Sequence, residues 1–127
     1  MKRTSTISIC IFSVFLFVSM VFCLYPQVSY ADAPKDVTLE YDSSAQTLAV
    51  TIAHKSSFTG FHHIKTVEIK KNSAVISTTN YDTQPAESPF TYTYKVAAAE
   101  GDKLEATATC SLSGSKTATI TVTKNTK

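Results

Sequence analysis

Apolar and polar residues alternate along most of the chain from residue 37 onward. A period of two is typical of strands that bury one face of a sheet. Turn signals, among them Asp42-Ser43-Ser44 and Gly101-Asp102, separate the alternating stretches. Seven short strands are predicted. They contain Val37/Leu39/Tyr41, Leu48/Val50/Ile52, Ile64/Val67/Ile69 within His62 to Lys71, Ser73 to Thr79, Phe90/Tyr92/Tyr94/Val96, Leu104/Ala106/Ala108 and Ala118/Ile120/Val122.

The fold class predicted from these strands is all-β, a seven-stranded antiparallel sandwich of the immunoglobulin type. Ile64 and Val67 break the strict alternation, which predicts a β-bulge near Lys65 or Thr66. The one helix-like patch, Ala97 to Glu100, is predicted to be a turn. The tyrosines of the fifth strand are expected to pack in the core rather than to bind carbohydrate.

The first 31 residues have the pattern of a secretory signal peptide. A positive start precedes an uncharged apolar run, Ile7 to Tyr25, and small residues at Ser29 and Ala31 favour cleavage after Ala31. An uncleaved anchor is the alternative, since the run is near the length that spans a bilayer. We therefore predict export to the periplasm or beyond, one domain from residue 32 to residue 127, and membrane contact only if the signal stays attached.

The exported part of the chain is predicted to be electrically neutral. Without Lys2 and Arg3, ten of the twelve basic residues remain against ten acidic residues, and none of the ten is arginine. Nucleic-acid binding relies on clustered positive charge and favours arginine. The composition therefore argues against a nucleic-acid partner.

The number of cysteines limits the disulfides that the exported chain can form. Cys10 and Cys23 lie in the predicted signal, so Cys110 has no intramolecular partner after cleavage. A disulfide-stapled fold is thereby excluded. Three interpretations of Cys110 stay open: a buried packing residue, a metal ligand, or one half of an intermolecular disulfide.

The candidate site residues are His54, His62, His63 and Cys110, which include every histidine of the chain. Imidazole and thiolate together bind iron, zinc or copper in proteins. The spacing is not that of a zinc finger, and the same residues also suit ordinary core packing or solvent exposure. His54 and Cys110 each continue an inward-facing stripe at a strand end. Whether those ends lie at the same side of the sandwich depends on strand order, which periodicity does not give.

Three segments resemble the desulfoferrodoxin/superoxide reductase family. His54 followed by Phe61-His62-His63-Ile64 resembles its histidine segment, Pro85 to Phe90 its linker, and Ala106 to Ser115 its cysteine segment. The order and separations hold from Thr47 to Val122. The resemblance implies an immunoglobulin-like sandwich that holds Fe(II) with four equatorial histidines and one axial cysteinate. It further implies one-electron reduction of superoxide, with an electron-donor protein as partner.

Carried over residue by residue, the resemblance implies that His54 and His62 are equatorial ligands and Cys110 the axial ligand. His63 matches a neighbouring position that is not normally a ligand. The sequence departs from the family at Ser113, where a histidine is usual, and it has no histidine between Asp32 and Ala53. The ligand set is therefore incomplete, which leaves open whether the protein is an enzyme. His63 or water is the candidate to complete a three-ligand site.

A second resemblance points to another function. Ser88-Pro89-Phe90 and the closing strand Lys116 to Thr123 are similar to the immunoglobulin-like Z subunit of the sulfur-oxidation carrier. This implies a non-catalytic binding or scaffold domain without metal, in which Cys110 is incidental. A nucleophilic Cys–His pair is a further alternative, which requires Cys110 beside His54 or His62 and a substrate cleft.

Overall fold

The computed structural model describes residues 33 to 124, so the predicted signal peptide lies outside the described residues. This part of the chain forms strands and turns without any helix, and hence contains no helix suited to crossing a membrane. The predicted all-β, seven-stranded antiparallel sandwich is confirmed. The strands are β1 (Asp36–Asp42), β2 (Thr47–Ala53), β3 (Ile64–Lys71), β4 (Ala74–Asn80), β5 (Phe90–Lys95), β6 (Lys103–Cys110) and β7 (Ser115–Thr121).

The strands form two sheets, with orders β1-β2-β5 and β4-β3-β6-β7. In a constant-type immunoglobulin domain the fourth strand joins the sheet of the first, second and fifth strands. Here Asn72 and Ser73 join β3 to β4, and both have positive φ angles of 50° and 72°. Positive φ at both central residues is typical of the tightest hairpin turns. Because so short a turn cannot cross to the other sheet, β4 pairs with β3.

The core lies between the sheets and is built from alternate residues of the central strands. Burial of this apolar surface is the main favourable term in folding. The fully buried apolar side chains come from β2, β3 and β6, each of which has a neighbour on both sides. The core residues with no exposed surface are Leu48, Val50, Ile52, Ile64, Val67, Ile69, Leu104, Ala106 and Ala108.

The predicted bulge is present in β3, at its pairing with β6. Ile64 pairs with Cys110, and the next pair is Thr66 with Thr109, so Lys65 is the extra residue. The bulge restores the alternation after Lys65, which lets both Ile64 and Val67 point into the core with no exposed surface. It also aligns the start of β3 with the end of β6.

Three tyrosines, Tyr81, Tyr92 and Tyr94, pack against one another where β5 faces the chain that follows β4. The ring of Tyr81 stacks on Tyr92 with centroids 4.2 Å apart, and the hydroxyls of Tyr81 and Tyr94 are 2.6 Å apart. Burial raises the pKa of Tyr92 and of Tyr94, and the hydroxyl of Tyr81 raises both further. All of this agrees with the predicted packing role of Tyr92 and Tyr94. The cluster also anchors the loop that follows β4.

The turn before β6 depends on one carboxylate, that of Asp102. Its two oxygens accept hydrogen bonds from the backbone N–H of Ala99 (2.9 Å) and from the side-chain amide of Asn72 (2.8 Å). The bond from Ala99 lowers the pKa of Asp102 most, followed by the bond from Asn72, and the charge of Lys71 adds to the effect. The ionised carboxylate therefore ties the β3–β4 turn to the β5–β6 connection.

We expect Asp102→Ala to lower the melting temperature at neutral pH by an amount that shrinks in acid. The folded pKa lies below the ordinary value of 3.8, so the stabilisation is complete above that pH and is lost as pH falls through the folded pKa. Thermal unfolding followed by circular dichroism from neutral pH to about pH 2 measures this. Glu100→Ala, an exposed carboxylate of the same turn, is the control. If the difference in melting temperature between Asp102→Ala and the wild type did not change with pH, the stabilisation would not come from the ionised carboxylate.

Candidate metal centre

Three of the four candidate ligands converge at one end of the sandwich. His54 follows β2 in the three-stranded sheet, Cys110 ends β6 in the four-stranded sheet, and His62 lies in the loop between β2 and β3. One ligand atom of each lies within 4.8 Å of the others. His54 is 2% exposed, Cys110 is 5% exposed, and His62 is half-buried. The centre is therefore a largely buried group of two imidazoles and one thiol that draws on both sheets.

The turn before β3 directs His62 inward. The backbone N–H groups of Phe61 and His62 both donate to the carbonyl of Phe58, at 2.9 and 2.8 Å. In this turn the side chains of Phe58 and Phe61 are 76% and 72% exposed. The ring of His62 instead meets the ring of His54 edge-on, with centroids 4.6 Å apart.

Gln84, in the loop between β4 and β5, fixes the ring of His54. Its Nε2 donates to the carbonyl of His54 (2.8 Å), and its Oε1 accepts from the backbone N–H of Ile64 (3.0 Å). The same Oε1 lies 2.6 Å from Nδ1 of His54. Because an amide oxygen can only accept, Nδ1 must carry the proton, and Nε2 has the lone pair. Metal-binding histidines typically have their second nitrogen held in this way.

Cys110 is positioned by the tight connection between β6 and β7. Its backbone N–H donates to the carbonyl of Gly114 (3.0 Å), and the backbone N–H of Leu112 donates to its Sγ (3.5 Å). Gly114 has a φ of +81°, and a Cβ there would lie 2.6 Å from the Cβ of Ala33. Only glycine fits both the turn and its neighbour, so Gly114 sets the position of the thiol.

His63 lies outside this group of ligand atoms. Its Nε2 is 3.0 Å from the carbonyl of Tyr81, which can only accept, so Nε2 carries the proton. Its backbone N–H donates to the hydroxyl of Ser111 (3.1 Å), and its Nδ1 is buried without a hydrogen bond. The side chain of His63 thus joins the start of β3 to the chain that follows β4, and the three ligand atoms meet without it.

Gln84 is the site residue that sequence reasoning missed. It lies in a polar loop between Thr83 and Pro85, where no periodicity marks it, yet its side chain is only 5% exposed. A lone glutamine in a loop is usually solvated, because burial of an amide requires partners for its oxygen and nitrogen. The three partners come from the ends of β2 and β3, which lie far away in sequence.

Neither the scan against protein-family models nor the search of the curated proteins finds a match for this chain. The two resemblances therefore rest on the quoted motifs alone.

The residues present do not fit the five-ligand iron centre that the first resemblance implies. The whole chain contains three histidines, so a single chain cannot supply four. One of the three, His63, lies outside the group, and Ser113 occupies an exposed turn. They do fit a three-ligand site, because two imidazoles and a thiolate form a donor set that binds first-row transition metals.

This arrangement is less suitable for a nucleophilic Cys–His pair. Cys110 does lie near two imidazoles, as that chemistry requires. However, its side chain is 5% exposed and lies between the two sheets, so a substrate bond has little access to the sulfur. The three donor atoms do lie close enough together to hold a metal ion.

Proposed function

We propose that this protein is an exported, metal-binding redox protein that holds one transition-metal ion between His54, His62 and Cys110. The observation that carries the proposal is the convergence of these three ligand atoms within 4.8 Å at one end of the sandwich. Fixed hydrogen bonds to the ligands support it, because they orient His54 and Cys110 before any metal arrives.

Each residue around the ion has a role in this proposal. Nε2 of His54 is the donor atom, since Nδ1–H is held by Gln84. Cys110 binds as the thiolate, and the N–H of Leu112 stabilises negative charge on the sulfur. The ion itself supplies one-electron redox chemistry when it is bound. Burial of His54 and Cys110 keeps bulk water away from the donor atoms.

Iron is the metal that the desulfoferrodoxin resemblance implies, and superoxide is the implied substrate. Its reduction to hydrogen peroxide would require one electron from a donor protein and two protons from water. The incomplete ligand set makes this centre chemically different from the family's five-ligand iron. The relation to superoxide reductase is therefore proposed at the level of descent and metal binding, and superoxide turnover is the activity to assay first.

The alternative is a non-catalytic binding or scaffold domain related to the Z subunit of the sulfur-oxidation carrier. Exposed apolar side chains beside the candidate centre favour it: Phe58 and Phe61 are 76% and 72% exposed, and Leu112 is 46% exposed. Exposed aromatic residues are enriched at protein interfaces. In this alternative the loops contact a partner and the three donor residues only pack.

Anaerobic loading with Fe(II), followed by metal analysis and an optical spectrum after oxidation, tests the metal-binding proposal. We expect one metal ion per chain and a sulfur-to-metal charge-transfer band, both lost in Cys110→Ser. Ser113→Ala, which changes an exposed side chain of the same connection and leaves the thiol in place, is the matched control. Failure of iron, zinc and copper alike to bind in stoichiometric amount would favour the scaffold alternative.

A further inference from the structure

The number and type of donors at the centre distinguish between metals. Two imidazoles and one thiolate are present, and no carboxylate belongs to the group within residues 33 to 124. Fe(II) in the implied family centre takes five protein ligands. A site with two histidines and one cysteine in a trigonal arrangement is instead the donor set of copper electron-transfer centres. The donors that do not fit the family's iron centre therefore match a copper centre.

The spacing of the donors is compatible with a trigonal ion. Metal–nitrogen and metal–sulfur bonds of about 2.0 and 2.3 Å place neighbouring donors about 3.5 to 3.7 Å apart. The three donor atoms lie within 4.8 Å of one another in the protein. To reach this spacing, the two most distant donor atoms must approach each other by roughly 1 Å. A rotation of the half-buried His62 side chain can supply this movement.

We propose that the centre formed by His54, His62 and Cys110 is a copper site that alternates between Cu(I) and Cu(II). This inference rests on the proposed function, since it names the metal for the same three residues. The thiolate is a soft ligand that favours Cu(I), and imidazole suits Cu(II). The same three donors serve both oxidation states, so one electron enters or leaves with little rearrangement. An external one-electron reductant supplies the electron to Cu(II), and an external one-electron oxidant removes it from Cu(I).

The surroundings of the sulfur and of His54 agree with this role. The hydrogen bond from Leu112 to Sγ belongs to the kind of contact that tunes the reduction potential of a copper thiolate site. Gln84 holds His54 in one tautomer and one orientation through bonds at both ends of its amide. Both contacts come from backbone or buried groups, so they stay fixed when the charge of the ion changes.

The test begins with the purified, metal-free protein. One equivalent of Cu(I) is added without oxygen, which avoids oxidation of the thiol by Cu(II), and the complex is then oxidised. We expect an intense visible thiolate-to-Cu(II) band that ascorbate removes and reoxidation restores. We also expect Cu(I) to displace bound Zn(II) or Fe(II), because the soft thiolate of Cys110 favours Cu(I). His63→Gln should keep the band, because the side chain of His63 lies outside the group of donors.

The variants His62→Gln and Cys110→Ser should both lose the band, with electron paramagnetic resonance as the second readout. Their melting temperatures without metal establish that each variant is folded at the temperature of the assay. A weak spectrum that Cys110→Ser leaves unchanged would identify adventitious copper and overturn the proposal. Stoichiometric iron or zinc that copper cannot displace would overturn copper alone and leave the metal-binding function standing. If none of the three metals bound, both the copper proposal and the metal-binding function would be overturned.

Discussion

Gln84→Leu is expected to lower metal affinity by about 10- to 100-fold, the usual effect of losing a group that holds a metal ligand. The change removes the acceptor for Nδ1–H of His54 and for the N–H of Ile64, together with the donor to the carbonyl of His54. Leucine is similar in size, so the loss is mainly of hydrogen bonds. Each buried group left without a partner costs about 1 to 3 kcal/mol. The free energy of unfolding should therefore fall by about 3 kcal/mol or more.

Two measurements separate the orienting role of Gln84 from ordinary stabilisation. Metal affinity is measured by competition with a chelator, well below the melting temperature of the variant. Gln84→Glu is the matched control, because its carboxylate still accepts from His54 and Ile64 but no longer donates to the carbonyl of His54. We expect Gln84→Glu to keep most of the metal affinity while losing part of the stability. Wild-type affinity in Gln84→Leu would show that Gln84 does not orient the ligand.

The second large effect is expected from Ile52→Ala, in the strand that delivers His54. Ile52 has no exposed surface and is the last inward residue of β2 before His54. It pairs with Val37 on one side and Phe90 on the other. Truncation removes buried apolar surface and leaves a cavity, which costs about 2 to 5 kcal/mol. That is a large share of the roughly 5 to 15 kcal/mol that stabilises a domain.

Urea unfolding of the variant and wild type measures this loss. Ile76→Ala is the matched control, because it makes the same chemical change in β4 at a side chain that is 44% exposed. Exposed positions usually change stability by about 0.5 kcal/mol or less. We therefore expect a clear midpoint shift for Ile52→Ala and a small one for Ile76→Ala. Equal shifts would mean that the core between the sheets does not dominate stability.

Much of the fold could be predicted because alternation is a local property. The spacing of Leu48, Val50 and Ile52 alone predicts one buried face, and all three side chains have no exposed surface. The bulge at Lys65 was predictable for the same reason, since Ile64 and Val67 cannot share a face of a regular strand. The predicted start of the third strand, His62, is wrong by two residues. The backbone of His62 bonds within the preceding turn, so β3 begins at Ile64.

The candidate centre was predictable only in part. Residue type indicated His54, His62, His63 and Cys110, and the alternation placed His54 and Cys110 at strand ends. Only the family resemblance favoured His62 over His63. Residue type and spacing could not separate them, because adjacent residues at a loop exit face directions set by the turn at Phe58. Gln84 had no local signal at all, since every one of its partners belongs to another element.

The alternation and composition of the chain were enough to predict the seven strands, the faces they bury and the residue types available for metal chemistry. These depend on interactions between near neighbours and on composition. The packing of the two sheets brings the ends of β2 and β6 to the same end of the sandwich and places Gln84 against His54 and Ile64. Such juxtapositions arise from pairing between distant strands. The free energy of that pairing depends on the whole packed core, so no short stretch of sequence encodes it.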